Sequence, residues 1–394
     1  MPLPRLPRTV WMLGLVSLFM DMSSEFIHAV LPIYLTTTLG LSVLAVGIME
    51  GIAEATASFM KMFSGIVSDR FHTRKALLLA GYGLAALTKP VFPLANTALD
   101  VVLARFIDRI GKGIRGAPRD ALVADVTPPA LLNSAYGLRQ SLDTVGAFAG
   151  PLLAILVLYG YSHDLRLVMW VAVLPALICV GLIVWGIQEP DTPAGVKGGK
   201  SPLHWRDATQ MPFAYWLLLL TVAVVTLIRM ADALLILRAQ ANGLALVWIP
   251  LVLVVYNIVY AISVYPTGLL GNRLGQRGLL IAGILCLALS QTMLASTEAV
   301  GLLFWSGIAL WGLHMGLTQG LLTARVAQLT PPALRGTSFG LFHLITGMAQ
   351  LLAGLGFGWL WMAYSAAVAF QVAAMLSLLA LPLIWVALRE SSFR

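Results

Sequence analysis

Hydrophobic runs of about 20 residues follow one another along almost the whole chain, and each is long enough to cross a bilayer as a helix. Hydrophobic residues make up 59% of the 394, while charged residues make up 11%, against about 25% in soluble proteins. The pattern therefore predicts an all-α membrane protein. We predict twelve spans, at residues 10–36, 43–66, 76–95, 98–118, 131–158, 165–187, 211–237, 244–270, 278–297, 299–324, 337–360 and 365–388.

The basic residues predict the orientation of these spans, because Lys and Arg concentrate in cytoplasmic loops. If the N-terminus is cytoplasmic, the loop and span-end Lys and Arg residues lie on the inner side, and only Arg166 and Arg238 lie on the outer side. We therefore predict that both termini are cytoplasmic. The formal net charge of +8 then follows from topology, and the chain needs a lipid bilayer but no nucleic-acid partner.

One long polar segment divides the chain into two parts of six spans each. Residues 188–210 are rich in Pro, Gly and charged residues, which is typical of a flexible linker. The sequence thus predicts an N-terminal six-helix bundle at 1–187, a cytoplasmic linker at 188–210, and a C-terminal six-helix bundle at 211–394.

The two parts are also related to one another in sequence. Residues 121–138 (ALVADVTPPALLNSAYGL) match residues 324–341 (ARVAQLTPPALRGTSFGL) at an offset of 203. The same offset carries Gly40 onto Gly243 and Arg74 onto Arg277. One register shared by separate segments indicates a duplication. Because an even number of spans intervenes, the repeats have parallel topology.

Three segments resemble sequence motifs of one known protein family. Residues 65–75 (GIVSDRFHTRK) resemble a G-x-x-x-D-R-x-G-R-R/K loop, with His72 at a glycine position. Residues 105–113 (RFIDRIGKG) resemble a fourth-helix arginine and glycine motif, and residues 146–151 (GAFAGP) resemble the fifth-helix motif of antiporters without its trailing glycine pair. The chain resembles the major facilitator superfamily over essentially its whole length. Its motifs are closest to those of bacterial proton-coupled drug or metabolite antiporters.

The resemblance implies the fold of that family, in which two six-helix halves are related by a pseudo-two-fold axis. It also implies a protein that works as a monomer in the bacterial cytoplasmic (inner) membrane. By resemblance the loop at 65–75 is a conformational gate or latch, and nearby charges on the fourth span are expected to join it. The predicted latch residues are Gly65, Asp69, Arg70, Arg74, Arg115, Arg119, Asp120 and Asp125.

Ionisable residues inside the predicted spans lie mostly in the first six, and such residues are costly in hydrocarbon unless they face protein or water. Spans one and two set four carboxylates against Lys61 alone, and a carboxylate without a cationic partner can take up a proton. Asp143 lies on the fifth span, one turn before Gly146 and Gly150. The predicted proton-coupling residues are Asp21, Glu25, Glu50, Glu54 and Asp143.

Helical rise places Asp21, Asp108 and Asp143 roughly 15 to 18 Å from a span end. All three therefore lie near the middle of a hydrocarbon core about 30 Å thick, which suggests one shared site. The alternative is that these charges form static ion pairs that only hold the helices together. The predicted substrate-binding residues are Arg105, Asp108, Arg109, Arg139, His28, Trp311 and His314, although His28, Trp311 and His314 also fit a structural role.

The sequence predicts a secondary active transporter of a small organic, amphipathic solute, with alternating access coupled to protons and export favoured. The alternative is a proton-coupled importer of an organic anion or metal chelate, in which an arginine holds a carboxylate. An enzyme is disfavoured, because neither a nucleophile–base pair nor a nucleotide-binding motif is evident. Neither a metal site nor a cofactor is expected, since the proton gradient supplies the energy.

Overall fold

The protein is described here from a computed structural model that covers residues 6–71, 74–128, 131–160, 164–188, 211–274, 276–330 and 335–387. Within these ranges the regular elements are all helical. The first eight α-helices are α1 (Arg8–Ile33), α2 (Val43–Phe71), α3 (Arg74–Thr88), α4 (Val91–Leu94), α5 (Ala98–Val126), α6 (Leu132–Gly160), α7 (Leu165–Val171) and α8 (Val173–Gly186). The remaining seven are α9 (Phe213–Ile228), α10 (Asp232–Ala241), α11 (Leu251–Leu274), α12 (Gln276–Ser296), α13 (Leu302–Leu329), α14 (Arg335–Ala363) and α15 (Ala366–Ala387).

Each predicted span corresponds to one helix or to two helices in succession. In the described part of the chain, ten helical segments are long and apolar enough to cross a membrane. The other two predicted spans correspond to α5 and α13. The many charged residues of α5 and the polar His314 and Gln319 of α13 lower the hydropathy of these helices. The all-α membrane architecture predicted from the sequence is confirmed.

Several spans are interrupted rather than continuous. α1 passes into a short π-helix, Tyr34–Thr38, soon after Pro32. The seventh span breaks between α9 and α10, where the Gln291 side chain donates a 2.9 Å hydrogen bond to the carbonyl of Ile228. Ser377 in turn donates to Gln291 at 2.8 Å. A helix can break inside a membrane where protein groups satisfy the released backbone, as Gln291 does here.

The chain divides into two compact units. The first comprises Met1–Leu31 and Thr56–Pro202, and the second comprises Pro32–Ala55 and Leu203–Arg394. The beginning of α2 thus belongs to the second unit and its later part to the first. The predicted linker at 188–210 lies outside the described residues except for Gln188, so the predicted domain limits at 187 and 211 stay a prediction.

Glycines allow close approach of helices within each unit. In the first unit Gly81 of α3 packs against the backbone of Gly111 on α5, and a Cβ added at Gly81 would lie 2.8 Å from the Gly111 oxygen. Gly146 and Gly150 of α6 pack in the same way against α1. In the second unit Gly47 of α2 packs against the backbone of Gly354 on α14. Small residues at helix crossings are the usual device for close packing in membranes.

The structure preserves the repeat that the sequence shows. α6 and α14 have the same length and are offset by 203 residues at both ends. Gly40 and Gly243, related by the same offset, both adopt positive φ, at 67° and 82°. Glycine reaches that region without the penalty of a Cβ, which explains why both copies have glycine there.

Candidate functional site

The charged helix α5 is the element on which the site is built. Thr97 caps its first turn in a capping box with Asp100, which fixes where the helix begins. Its charged residues recur at helical spacing, so several of them lie on the face that packs into the first unit. Arg105, Asp108, Arg109 and Arg115 are each exposed by 5% or less.

Six ionisable residues of the first unit form one network, which we call the carboxylate–arginine cluster: Asp21, Arg115, Arg119, Asp120, Arg139 and Asp143. Its contacts join α1, α5 and α6. Arg115 lies 3.8 Å from Asp21, Arg119 lies 3.1 Å from Asp120 and 3.6 Å from Asp143, and Arg139 lies 3.7 Å from Asp120 and 3.9 Å from Asp143. Three carboxylates therefore face three guanidinium groups.

Two carboxyl groups of this cluster also face one another. Asp21 of α1 and Asp143 of α6 lie within hydrogen-bonding reach of one another. Two ionised carboxylates at that separation repel, so a hydrogen bond between them requires a proton on one. The pair can hold either a shared proton or two charges compensated by arginines. A pair of groups that takes up and releases a proton must be able to adopt both of these states.

Neutral groups hold the arginines of the cluster in place. The guanidinium carbon of Arg115 lies 4.5 Å from the ring centre of Tyr82, a buried residue of α3, in a cation–π contact. Arg119 donates a 3.1 Å hydrogen bond to the Ser17 hydroxyl of α1. The Tyr136 hydroxyl donates to the backbone carbonyl of Asp120 at 2.7 Å, which ties α6 to α5.

A second buried cluster lies nearer the beginning of α5. The ammonium group of Lys89 lies 2.8 Å from Asp108 and donates a 3.1 Å hydrogen bond to Ser24 of α1. Arg109 lies 3.6 Å from the other oxygen of Asp108. We call Ser24, Lys89, Asp108 and Arg109 the Lys89–Asp108 cluster. Two cations contact one carboxylate there, in surroundings from which solvent is nearly excluded.

The structure separates three residues that the depth argument brings together. Asp21 and Asp143 lie in one cluster, whereas Asp108 lies in the other, 2.8 Å from Lys89, the residue that follows α3. The structure thus places the three residues in two clusters that α5 connects, and the shared site stays a prediction. Arg139, predicted as a substrate-binding residue, lies 3.9 Å from Asp143 on the same helix.

The other residues predicted to couple protons, Glu25, Glu50 and Glu54, lie on α1 and α2. Glu25 forms an i, i+3 pair with His28, whose Nδ1 lies 3.2 Å from the carboxylate. Glu50 and Glu54 lie on the part of α2 that belongs to the second unit, and Glu50 is buried.

The predicted latch residues fall into three groups. Arg74 and Asp125 form a 2.7 Å ion pair between α3 and α5. Arg115, Arg119 and Asp120 lie instead in the carboxylate–arginine cluster. The backbone of α2 extends through Gly65, Asp69 and Arg70, but the side chains at these three positions lie outside the described part of the structure.

Trp311 and His314 are packed inside the second unit. Both are almost completely buried on α13, and the Nδ1 of His314 lies 2.9 Å from the carbonyl oxygen of Gly283 on α12. This environment is that of a packed histidine that satisfies a backbone carbonyl. Among the described residues, groups of three or more His, Cys, Asp or Glu that could hold a metal ion are absent.

Sequence reasoning missed the roles of Lys89 and Tyr82. Lys89 is the only lysine or arginine between residues 76 and 104, so its place in an apolar span was a usable signal. Tyr82 carries no such signal, because an aromatic residue in a span is ordinary core. Only the crossing of α3 with α5 places Tyr82 beside Arg115.

Comparisons with known proteins agree with this architecture. A sequence model of the Major Facilitator Superfamily matches residues 13–342. The chain is 31% identical over 369 residues to an uncharacterized MFS-type transporter of Methanocaldococcus jannaschii, covering 90% of this chain and 89% of the relative. It is 24% identical over 330 residues to the multidrug resistance protein MdtH of Proteus mirabilis, covering 82% and 79%.

Among solved structures, the crystal structure of the nucleoside transporter NupG superposes with a TM-score of 0.81 at 13% identity. That match covers 97% of this chain and all of the other. Identity this low establishes the shared fold alone. The family match and the relatives together show that the protein is a multi-span membrane transporter rather than an enzyme. The chain belongs to the major facilitator superfamily.

Proposed function

We propose that the protein is a secondary active transporter that couples protons to the movement of a small organic, amphipathic solute, with export favoured. It would work as a monomer in the bacterial cytoplasmic membrane with both termini on the cytoplasmic side. The proton gradient would replace any cofactor. The observation that carries the proposal is the pair of facing carboxyl groups, Asp21 and Asp143, set among Arg115, Arg119 and Arg139.

The proposed coupling step is an exchange of partners within the carboxylate–arginine cluster. When Asp143 is ionised, Arg119 of α5 attracts it and holds α5 to α6, while Arg139 attracts it within α6. A proton on Asp143 removes that attraction and allows a hydrogen bond to Asp21 instead. Because charge pairs in a low-dielectric interior are much stronger than in water, one proton can change how these helices pack.

The Lys89–Asp108 cluster is the proposed substrate side of the mechanism. Its residues Asp108 and Arg109 lie on α5 about two turns before Arg115, so one rigid helix connects the two clusters. A polar group of the solute that displaces Lys89 or Arg109 from Asp108 would shift α5. We add Arg105 and His28 to this substrate set, whereas Arg139 lies in the carboxylate–arginine cluster. For Trp311 and His314, which are buried in the second unit, a substrate role stays a prediction. Glu25, Glu50 and Glu54 remain further proton-carrying candidates.

Two observations support export over import. Relatives of this chain include proteins named multidrug resistance proteins, and a transporter confers resistance when it removes a drug from the cell. Gly146, Gly150 and Pro151 on α6 also resemble the fifth-helix motif of antiporters. Both glycines make close contact with α1, the helix that carries Asp21.

The second candidate function is proton-coupled import of an organic anion or a metal chelate. It is favoured by the arrangement around Asp108, where Lys89 and Arg109 both contact one carboxylate. A substrate carboxylate could replace Asp108 as the partner of either cation. The two candidates differ in the charge of the solute and in the direction of proton movement relative to it.

Purified protein in liposomes that contain a trapped pH indicator tests the proposal. Ethidium, an amphipathic cation, and citrate or ferric citrate are offered separately under an imposed pH gradient. Proton movement opposite to ethidium supports export of an amphipathic solute, and proton movement with citrate supports the second candidate. If the liposomes accumulate none of a wider panel of solutes and show no solute-dependent proton movement, proton-coupled transport is excluded.

A further inference from the structure

An apolar groove in the first unit is separate from both charged clusters. It has a volume of about 570 Å³, within the roughly 300–1,000 Å³ usual for small-molecule sites. It lies between α3, α4 and α5, where the main chain leaves α3 at Thr88 and returns into α5 after Thr97. Its wall is formed largely by Leu84, Leu87, Val91, Leu94, Leu103 and Ile107.

The wall of this groove faces away from the protein interior. Leu87 is 73% exposed and Leu103 is 51% exposed, and Leu94 is similarly open. In a membrane protein such side chains contact lipid tails, so the ordinary occupant of a groove of this kind is an acyl chain. The short helix α4 and the breaks on either side of it make a recess here rather than a smooth helical surface.

Two polar groups of opposite charge lie at the end of the groove near residues 95–100: Asp100 lines it, and Arg166 contacts the lining residue Ala95. Asp100, which lines the groove, accepts hydrogen bonds from the backbone N–H groups of Asn96 and Thr97 at 3.1 and 2.9 Å. Arg166 of α7 donates to the carbonyl of Ala95 and to the side-chain oxygen of Asn96 at 3.2 and 3.3 Å. A carboxylate and a guanidinium group thus flank Asn96. The connection at 95–97 must lie at the membrane surface, because loop backbone is not tolerated in hydrocarbon.

We propose that this groove is a binding site for phosphatidylethanolamine, with one acyl chain along α5, the phosphate on Arg166 and the ammonium group on Asp100. Guanidinium groups bind phosphate through paired donors. A carboxylate has about four acceptor positions, and Asp100 uses two for backbone N–H groups. The nearby Asp164 adds a second negative charge beside Arg166, which disfavours lipids with a net negative charge.

Native mass spectrometry of the purified full-length protein tests the site. Phosphatidylethanolamine, phosphatidylcholine and phosphatidylglycerol are added in equal amounts to the detergent solution. We expect one phosphatidylethanolamine to be retained roughly tenfold more often than either of the other lipids. Equal retention of the three lipids by the wild-type protein overturns the proposal, and this comparison requires no variant.

Variants then locate the bound lipid. Leu103→Trp fills the groove and should lower retention of phosphatidylethanolamine by about tenfold. Its control is Leu174→Trp, at a 63% exposed position of α8 outside the groove, which should retain the lipid. Asp100→Asn should lower retention of phosphatidylethanolamine to that of phosphatidylcholine, and Arg166→Gln should lower the retention of both lipids. Retention unchanged in Leu103→Trp, or loss of a detergent adduct instead of lipid, contradicts the assignment.

Discussion

The guanidinium group of Arg119 on α5 lies 3.6 Å from the carboxylate of Asp143 on α6, while Asp143 also faces Asp21 on α1. One carboxylate thus has a cation on one side and a second carboxyl group on the other. When Asp143 gains a proton, its attraction to Arg119 weakens, and its repulsion from Asp21 is replaced by a hydrogen bond. This relationship is the core of the proposed coupling.

The contributions of Lys89 and Asp108 to stability should depend on one another, because each is the buried partner of the other. Lys89→Met removes the lysine partner of a buried carboxylate, and we expect a loss of about 3–5 kcal/mol in the free energy of unfolding. Asp108→Asn should cost a similar amount. The double variant should be more stable than the sum of the two single changes predicts, as a double-mutant cycle of unfolding in detergent would show.

The Arg74–Asp125 pair supplies the control for that cycle. It has a 2.7 Å contact, but the Asp125 side chain is 39% exposed. Solvent screens such a pair, so Arg74→Met with Asp125→Asn should show a coupling of about 0–1 kcal/mol. A coupling as large as that of Lys89 and Asp108 would mean that burial does not govern the strength of these pairs.

Close packing of α6 on α1 should make Gly150 intolerant of a side chain. A Cβ at Gly150 would lie 2.5 Å from the backbone oxygen of Met22 and 2.8 Å from the nitrogen of Phe26. Gly150→Ala should therefore destabilise the protein by about 1–3 kcal/mol, measured as a lower thermal unfolding midpoint. Gly160→Ala is the matched control on the same helix, since an added Cβ there meets nothing within 4 Å. Equal midpoints for both variants would contradict the packing argument.

Arg238 should stabilise the end of α12 in the second unit. Its guanidinium group donates to the carbonyls of Leu294, Ala295 and Thr297 at 3.0, 3.4 and 2.5 Å. Because these buried oxygens would lose their donor, Arg238→Met should lower the free energy of unfolding by about 1–3 kcal/mol. Arg238→Lys keeps the charge but not the fork of donors, so its loss should be smaller. A thermal midpoint unchanged in Arg238→Met would show that these bonds contribute little.

The fold could largely be predicted from the sequence, because a bilayer requires long apolar helices and the repeat at offset 203 indicates the same order of helices in both halves. The break at Arg229–Ala231 was not, since it depends on Gln291 from another helix. Within the site, helical spacing identified the charged faces of α1, α5 and α6. It could not pair Asp108 with Lys89, because spacing within one helix does not show which neighbouring helix crosses it, or where.

The most direct test separates proton coupling from solute movement in Asp143→Asn and Asp21→Asn. Asp164→Asn serves as the control, because it removes an exposed carboxylate of the first unit outside both clusters and the predicted latch, and asparagine can still cap α7. Liposomes are loaded with a solute identified by the screen proposed above. Exchange of labelled for unlabelled solute is measured without a gradient, and accumulation is measured with an imposed pH gradient.

We predict that both cluster variants keep exchange within about twofold of the wild type but lose gradient-driven accumulation by at least tenfold, a change of about 1.4 kcal/mol or more. Asp164→Asn should retain both activities. If Asp143→Asn and Asp21→Asn still accumulate solute as the wild-type protein does, the facing carboxyl groups do not carry the coupled proton.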